Sequence, residues 1–182
     1  IGGGISISAH LKGKMVDGND IVGGEGPMAP TRCGSVPAIE VAKYTAEHGL
    51  DVARALCMKT GGFVDLLGTS DGVEVCDRAA AGDAAAARAW DTMVYQICKW
   101  IGEMACVLKG NVDGILLGGG MVHSKELVAA IEDACSWIAP VSAYPGEFEL
   151  EAMAAGACRV LDGAEEALSY SGKPVFSGFN DR

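Results

Sequence analysis

A glycine turn between an apolar strand and a helical segment is the feature of this sequence with the clearest chemical meaning. The apolar run Ile115 to Leu117 stops at Gly118-Gly119-Gly120, and a helical pattern that Ser124 can cap begins shortly afterwards. Glycines in such a turn let a ligand approach the backbone, and the free N–H groups at a helix start favour anions. The turn therefore suggests a phosphate-bearing ligand, although a single motif of this kind has low specificity.

A second glycine turn, Gly2-Gly3-Gly4, leads into the alternating residues Ile5 to His10. Together the two turns suggest a nucleotide held from two sides. A glycine turn that enters an alternating strand normally joins two antiparallel strands. We therefore expect the chain to be the C-terminal part of a longer protein, with the first strand of the hairpin missing.

Arg32 is the third candidate for chemistry, because it lies in a loop of small residues without periodicity, Gly26 to Ser35. Its planar fork of donors suits a phosphoryl group or a carboxylate, and it can neutralise charge on a transferring phosphate. The alternative is a surface arginine that ties the loop to an acid such as Glu25.

Composition excludes several classes of function. The formal net charge of −10 argues against a nucleic-acid backbone or an anionic membrane as partner. No apolar run approaches the ~20 residues that span a bilayer. The seven cysteines include no C-x-x-C pair, and none of the three histidines pairs with a cysteine at zinc spacing. We expect reduced thiols in a cytoplasmic protein without a structural metal.

Hydrophobic periodicity predicts two strands, a mostly helical middle, and then strand, helix, strand and helix. The longest element is a helix from Asp83 to about Lys109, whose apolar stripe indicates core packing, with Trp100 at the edge of the stripe. The final alternation predicts a parallel strand pair inside a mixed sheet. The other predicted elements are a hairpin over 5–17, helices over 37–48, 50–58, 124–138 and 147–161, a short apolar element over 63–67, and strands over 114–117 and 141–144.

In order and spacing, the motifs of nearly the whole chain resemble the butyrate and branched-chain carboxylate kinases of the acetokinase family. This family belongs to the superfamily that also contains the sugar kinases and actin. The segments that carry the resemblance are Gly2 to His10, Lys14 to Asp17, Gly24 to Pro27, Gly61 to Phe63, Leu67 to Asp71, Ala105 to Gly110, Gly118 to Gly120, Ile138 to Val141 and Tyr144 to Glu147.

The resemblance implies an α/β fold: a ribonuclease-H-like, actin-like ATPase domain with a mixed sheet flanked by helices. It further implies that residues 1–170 form the C-terminal nucleotide-binding domain of a two-domain kinase, with a helical insertion at about 37–82 and a tail at 171–182. The N-terminal domain, with the other phosphate loop, the acidic catalytic residue and most of the carboxylate pocket, is expected upstream of Ile1.

The resemblance also assigns roles to individual residues. Gly2, Gly3 and Gly4 match the loop on the nucleotide phosphates, and Gly118, Gly119 and Gly120 match the adenosine turn. Arg32 matches an arginine proposed to stabilise the phosphoryl group in transfer, and Asp71 matches an aspartate that contacts the nucleotide. Ungapped alignment from Pro145 places Phe148 where acetate kinases carry a magnesium-binding acid. The flanking carboxylates Glu147 and Glu149 are therefore the metal candidates.

The expected activity is reversible transfer of the γ-phosphoryl of ATP to a short-chain fatty acid, butyrate or a branched analogue, to give an acyl phosphate and ADP. The cofactors implied are ATP or ADP and Mg²⁺, and the expected assembly is a homodimer or a higher homo-oligomer. Two alternatives stay open: an acetate or propionate kinase, and a non-catalytic ATP-binding module of the actin type.

Overall fold

The computed structural model describes residues 1–173 of the chain, which form an α/β structure. Its strands are β1 (Ser8–Leu11), β2 (Lys14–Gly18), β3 (Ile115–Gly119) and β4 (Val141–Pro145). Its helices are α1 (Ala38–His48), α2 (Leu50–Met58), α3 (Phe63–Leu67), α4 (Gly72–Ala80), α5 (Ala84–Val107), α6 (Lys125–Cys135) and α7 (Glu149–Leu161). The last part of the predicted tail, 174–182, lies outside the described residues.

The first two strands form the predicted hairpin, which is shorter than its alternating pattern. Strand β1 pairs antiparallel with β2, and its ladder is interrupted by a bulge between Ala9 and His10. The turn places Lys12 and Gly13 at positive φ, a region that glycine enters without steric cost. Residues 5–7 belong to no strand and are hydrogen-bonded to Asn19, so the glycine turn and the hairpin are separated by a short linking segment.

Helix α5 is the centre of the core, as its stripe predicts. Asp83 caps it by accepting hydrogen bonds from the N–H groups of Ala85 and Ala86 at 2.9 and 3.1 Å. The ring of Trp90 stacks against Phe63 of α3, with centroids 6.5 Å apart. The buried side of α5 consists of Ala86, Ala89, Trp90, Met93, Ile97, Ile101 and Met104.

Strands β3 and β4 are parallel neighbours joined through α6, which confirms the predicted pair. One face of this pair is in the core through Ile115 and Leu117, whereas Leu116 on the opposite face is exposed. Between β3 and α6 the chain makes a 3₁₀ turn, Gly120–His123, and then Ser124 caps α6 through the N–H of Leu127. The glycine turn is thereby fixed between two regular elements.

Two expectations about the elements need correction. Within residues 1–173 the four strands form two separate two-stranded sheets instead of one mixed sheet. Periodicity predicts which segments are extended, but it does not encode which distant segments pair. Helix α4, which the periodicity does not predict, begins directly after Asp71, and this residue accepts hydrogen bonds from its first N–H groups. Among the described residues, no helix is long and apolar enough to cross a membrane.

Candidate functional site

The two glycine turns lie against each other, as a site that holds one ligand from two sides requires. The amino nitrogen of Ile1 donates to the carbonyl of Gly118 at 2.5 Å, and the N–H of Met121 donates to the carbonyl of Ile1 at 3.1 Å. Ile1, the residue before the first glycine turn, is therefore hydrogen-bonded to both ends of the second glycine turn. Residues more than a hundred positions apart in the chain meet at one place.

Gly119 is the residue that permits this contact. Its φ is +103° and its ψ is 171°, a combination that is essentially restricted to glycine. A Cβ at this position would lie 2.4 Å from the carbonyl oxygen of Ile1. Gly119 also exchanges backbone hydrogen bonds with Gly146 at 3.0 and 3.3 Å, which fixes the start of α7 beside the turn. The side of Gly119 is therefore filled by the chain itself.

Gly120 faces open space instead. A Cβ at Gly120 would meet no heavy atom within 4 Å, whereas a Cβ at Gly2, Gly3 or Gly118 would make an ordinary contact at 3.9, 3.9 or 4.0 Å. Gly120 is exposed and begins the 3₁₀ turn. Of the predicted ligand-binding glycines, Gly120 therefore leaves the most room for an incoming group to reach the backbone.

Arg32 lies directly on the first glycine turn. A Cβ at Gly4 would be 2.8 Å from the Cζ and Nε atoms of the guanidinium, so only glycine leaves room for this side chain. The neighbouring Thr31 fixes the same turn, because its N–H and its hydroxyl both donate to the carbonyl of Gly3, at 3.1 and 2.8 Å. The structure thus brings together the arginine and the glycine turn that the sequence singles out separately.

The contacts of the Arg32 side chain differ from the expected alternative. Its Nη1 donates to the carbonyl of Ile21, and no ion pair to a carboxylate is formed among residues 1–173. Glu25, the expected acidic partner, instead accepts a hydrogen bond from the N–H of Asp20 at 2.7 Å. The Nε of Arg32 is buried without a hydrogen-bond partner. An unpaired charged donor in such a position favours an anionic ligand, because burying it alone is costly.

Backbone hydrogen bonds hold the Arg32 segment from a third side. The N–H of Cys33 donates to the carbonyl of Leu56 at 3.0 Å, and the N–H of Gly61 donates to the carbonyl of Thr31 at 3.2 Å. A Cβ on Gly62 would lie 1.7 Å from the carbonyl oxygen of Ala29, so this crossing needs glycine. The end of α2 and the Gly61-Gly62 turn therefore position Arg32.

Asp71 has a structural role that the sequence reading does not include. One carboxylate oxygen accepts hydrogen bonds from the N–H groups of Val73 and Glu74, at 2.8 and 3.3 Å, as in a helix cap. The next residue, Gly72, lies against Met121, since a Cβ there would be 2.8 Å from the terminal methyl. Asp71 therefore lies close to the second glycine turn, with one oxygen already used by α4.

Glu147 and Glu149 are both exposed, beside the Gly119–Gly146 contact. The Gly119–Gly146 contact thus holds the start of α7, and with it Glu149, close to the second glycine turn. In the part of the chain that the structure describes, no three acidic, histidine or cysteine side chains are grouped so that they could hold a metal.

Two positioning residues carry no recognisable signal in the sequence. The side chain of Asn19 accepts from the N–H of Ile7 at 2.7 Å and donates to the carbonyls of Ile5 and Glu25, at 3.2 and 3.0 Å. Gln96 on α5 accepts from the N–H of Met28 at 2.6 Å. Both side-chain amides form hydrogen bonds with backbone groups of the loops and so hold the loop that contains Arg32 in place. Neither residue belongs to a recognisable motif.

The profile of the acetokinase family matches residues 1–138, which is most of the chain. The chain belongs to the acetokinase family. Its relatives include proteins named probable butyrate kinase from Coprothermobacter proteolyticus, 47% identical over 93% of this chain, and from Enterococcus faecalis, 43% identical over 94%. The chain spans about half the length of these curated relatives, 48% in each case.

Solved structures of acetate kinases share the fold. The chain superposes on the acetate kinase of Porphyromonas gingivalis with a TM-score of 0.76 at 24% identity, covering 88% of this chain and 47% of that one. The acetate kinase of Entamoeba histolytica gives the same TM-score at 18% identity, covering 87% and 48%. These likenesses confirm the predicted fold class, that of the acetate and propionate kinases.

Proposed function

We propose that this chain is the nucleotide-binding part of a carboxylate kinase that transfers the γ-phosphoryl of ATP to a short-chain fatty acid. The products are ADP and an acyl phosphate, and the preferred acceptor is butyrate or a branched analogue. The observation that carries the proposal is the Arg32 guanidinium packed on Gly4, with a buried Nε that lacks a partner. The relatives named probable butyrate kinase support this acceptor class.

The arrangement of the glycine turns fits a bound ATP. In the proposed complex, Gly2, Gly3 and Gly4 approach the phosphates, and Gly118 to Gly120 approach the adenosine. The open space at Gly120 supports close approach of a ligand to the backbone. Gly119 contributes by holding the turns together, because its side faces Ile1. In the proposed complex, Asp71 contacts the nucleotide with the carboxylate oxygen that α4 leaves free.

Magnesium, if bound, would be held mainly by the nucleotide. Mg²⁺ is commonly bound through one or two carboxylates together with substrate phosphates and waters. The two carboxylates Glu147 and Glu149 fit that limited role, because both are exposed beside the Gly119–Gly146 contact. The ion would offset the negative charge of the phosphates. The residues of this chain would only complete its coordination.

In the proposed reaction, Arg32 stabilises the phosphoryl group during transfer. The phosphoryl group carries its charge on three oxygens, and catalysis depends on positioning and on charge stabilisation. The carbonyl of Ile21 and the Gly4 turn hold the guanidinium in place before substrate binds. Preorganised donors of this kind do not have to reorient when the reaction occurs.

Two other functions remain candidates, and an acyl acceptor series distinguishes them. An acetate or propionate kinase would use the shorter acids best, as the names of the structural neighbours suggest. A non-catalytic actin-like module would bind ATP and form no acyl phosphate with any acid. The chain spans about half the length of its curated relatives, so the full-length protein is the one to assay. We also propose that the full-length protein is a homodimer or a higher homo-oligomer.

The decisive variants are Arg32→Ala and Arg32→Lys in the full-length protein. If Arg32 acts in the transition state, Arg32→Ala should lower kcat by roughly 10²–10⁴-fold with a much smaller change in the KM for ATP. Arg32→Lys should rescue only partly, because an ammonium cannot reproduce the planar fork. The measurement is steady-state acyl phosphate formation beside thermal denaturation.

The matched control is Arg88→Ala, since Arg88 is an exposed arginine on α5 and belongs to neither glycine turn. This variant should keep the parent's kcat. A purely structural Arg32 would lower the melting temperature while kcat per folded molecule survives. If kcat of Arg32→Ala stays within about threefold of the parent, a change too small for a lost transition-state contact, the kinase assignment of Arg32 is wrong.

A further inference from the structure

Cys33, the residue after Arg32, has a second cysteine beside it. Its Sγ lies 4.0 Å from the Sγ of Cys57 in α2, and both residues are half-buried. The adjoining backbones are already joined, because the N–H of Cys33 donates to the carbonyl of Leu56 at 3.0 Å. The S–S bond of a disulfide is ~2.05 Å long, so the two sulfurs need to approach by roughly 2 Å.

Cys57 also touches the loop that holds the Arg32 side chain. A Cβ on Gly24 would lie 2.9 Å from both the Cβ and the Sγ of Cys57, so the loop rests directly on this thiol. The same loop contains Ile21, whose carbonyl accepts the hydrogen bond from the Arg32 guanidinium. A disulfide bond between Cys33 and Cys57 would therefore pull on two parts of the site at once. One is the backbone next to Arg32, and the other is the loop that holds the Arg32 guanidinium.

We propose that Cys33 and Cys57 form a reversible disulfide that displaces Arg32 and lowers phosphoryl transfer. The effect on transfer rests on the proposed kinase function, whereas formation of the disulfide does not. The oxidant is a small-molecule disulfide such as oxidised glutathione. One protein thiolate attacks it and releases one glutathione thiol; the second protein thiolate attacks the mixed disulfide and releases the other. Two protein thiols lose two protons and two electrons, and one glutathione disulfide becomes two thiols.

The chemistry of Cys33 makes the pair slow to react at neutral pH. Burial raises the pKa of the Cys33 thiol to about 11, and Cys57 and the Asp65 carboxylate add to this shift. Since the thiolate is the attacking species, disulfide formation should accelerate between about pH 7 and pH 9. The thiols would stay reduced under ordinary conditions and would close only under sustained oxidation.

A second close pair, Cys98 and Cys135, is a poorer candidate. Cys135 is 2% exposed between α5 and α6, which shields it from a dissolved oxidant. Burial raises the pKa of the Cys135 thiol to about 12. Peptide mapping separates this pair from the proposed one, because each linkage gives a different cross-linked peptide.

The test uses the full-length protein treated with oxidised glutathione at pH 7 and at pH 9, since the thiolate fraction rises with pH and the disulfide should form faster at the higher value. Mass spectrometry of non-reduced digests should show peptides of Cys33 and Cys57 joined, with the loss of two hydrogen atoms. Acyl phosphate formation should fall by about tenfold or more, since a misplacement of ~1 Å at a reacting centre can cost about 10²-fold. Dithiothreitol should restore the activity.

Variants make the result specific. Cys57→Ser should keep the activity of the reduced parent and lose the response to oxidised glutathione, and Cys33→Ser should be equally insensitive. Cys106→Ser removes an exposed thiol on α5, outside the proposed pair, and should respond to oxidised glutathione like the parent.

The proposal is overturned if the folded protein forms no Cys33–Cys57 linkage. It is also overturned if the linkage forms while kcat is unchanged. If the reduced protein phosphorylates no carboxylate at all, the proposed function fails. The disulfide is still judged by the peptide map and by the change in melting temperature when the protein is oxidised.

Discussion

Gly119 and Gly120 are adjacent, but only Gly120 has free space at its Cβ position. Substitutions at the two positions therefore separate effects on stability from effects on nucleotide binding. Gly119 has a φ of +103° and would carry a Cβ 2.4 Å from the Ile1 carbonyl oxygen. A non-glycine residue in that backbone region costs on the order of 1–3 kcal/mol, and the collision with Ile1 adds to it. Gly120 has no heavy atom within 4 Å of its Cβ position.

For the full-length protein we therefore expect Gly119→Ala to lower the melting temperature by roughly 6–12 °C, from about 3 kcal/mol at ~2–4 °C per kcal/mol. Gly120→Val should leave the melting temperature within about 2 °C of the parent, because an open site imposes little strain. If adenosine approaches the Gly120 backbone, the same variant should bind Mg-ADP about tenfold more weakly, ~1.4 kcal/mol. Differential scanning fluorimetry and titration calorimetry on the same samples measure both quantities.

Gly102→Val is the matched control, since Gly102 on α5 also has no heavy atom near its Cβ position and lies away from the turns. It should leave nucleotide affinity unchanged. Unaltered Mg-ADP affinity in Gly120→Val, with the fold intact, would remove this turn from the nucleotide site. A normal melting temperature for Gly119→Ala would show that the contact with Ile1 does not hold the two turns together.

Three further predictions follow from individual side chains. Asp71→Ala should cost about 1 kcal/mol of stability through the lost cap. Asp71→Ser should keep the cap, so weaker ADP binding in the serine variant would identify a direct nucleotide contact. The Arg78 guanidinium lowers the pKa of Asp83 below its ordinary value of 3.8. The stability from this pair is present above that value and is lost as pH falls through the folded-state pKa. In denaturant titrations Asp83→Asn should therefore be less stable than the parent at pH 7, and the difference should shrink as pH falls below 3.8. Trp100 is half-buried on α5, and if it contacts a second subunit, Trp100→Ala should shift sedimentation of the full-length protein towards the monomer.

Local patterns predict the regular elements well. The stripe of α5, the Ser124 cap and the hairpin turn at Lys12–Gly13 all appear at the predicted places, because periodicity and capping act within a few residues. Helix α4 is missed for a related reason. The helix is capped by Asp71. In a sequence, an aspartate that caps a helix cannot be distinguished from an aspartate that binds a ligand.

The site is less predictable because its geometry depends on distant contacts. Spacing gives all three glycines of the second turn the same role, whereas the structure shows that Gly119 faces Ile1 and Gly120 faces open space. Spacing also does not predict that Arg32 rests on Gly4, since the two belong to different loops. The roles of Arg32 and of the glycines toward ATP remain predictions.

The attachment of the Arg32 segment has a consequence for the order of folding. Thr31 binds Gly3, 28 residues earlier, and is in turn bound by Gly61, on the far side of α1 and α2. Apart from local hydrogen bonds such as those between Ala29 and Arg32, the segment is held by these distant contacts, so the chain has to close two long loops before it is fully ordered. We expect the Thr31 and Gly61 amides to gain protection from hydrogen exchange after those in the middle of α5. Arg32 would then be positioned last, and a protein that is only partly folded would lack the centre of its site.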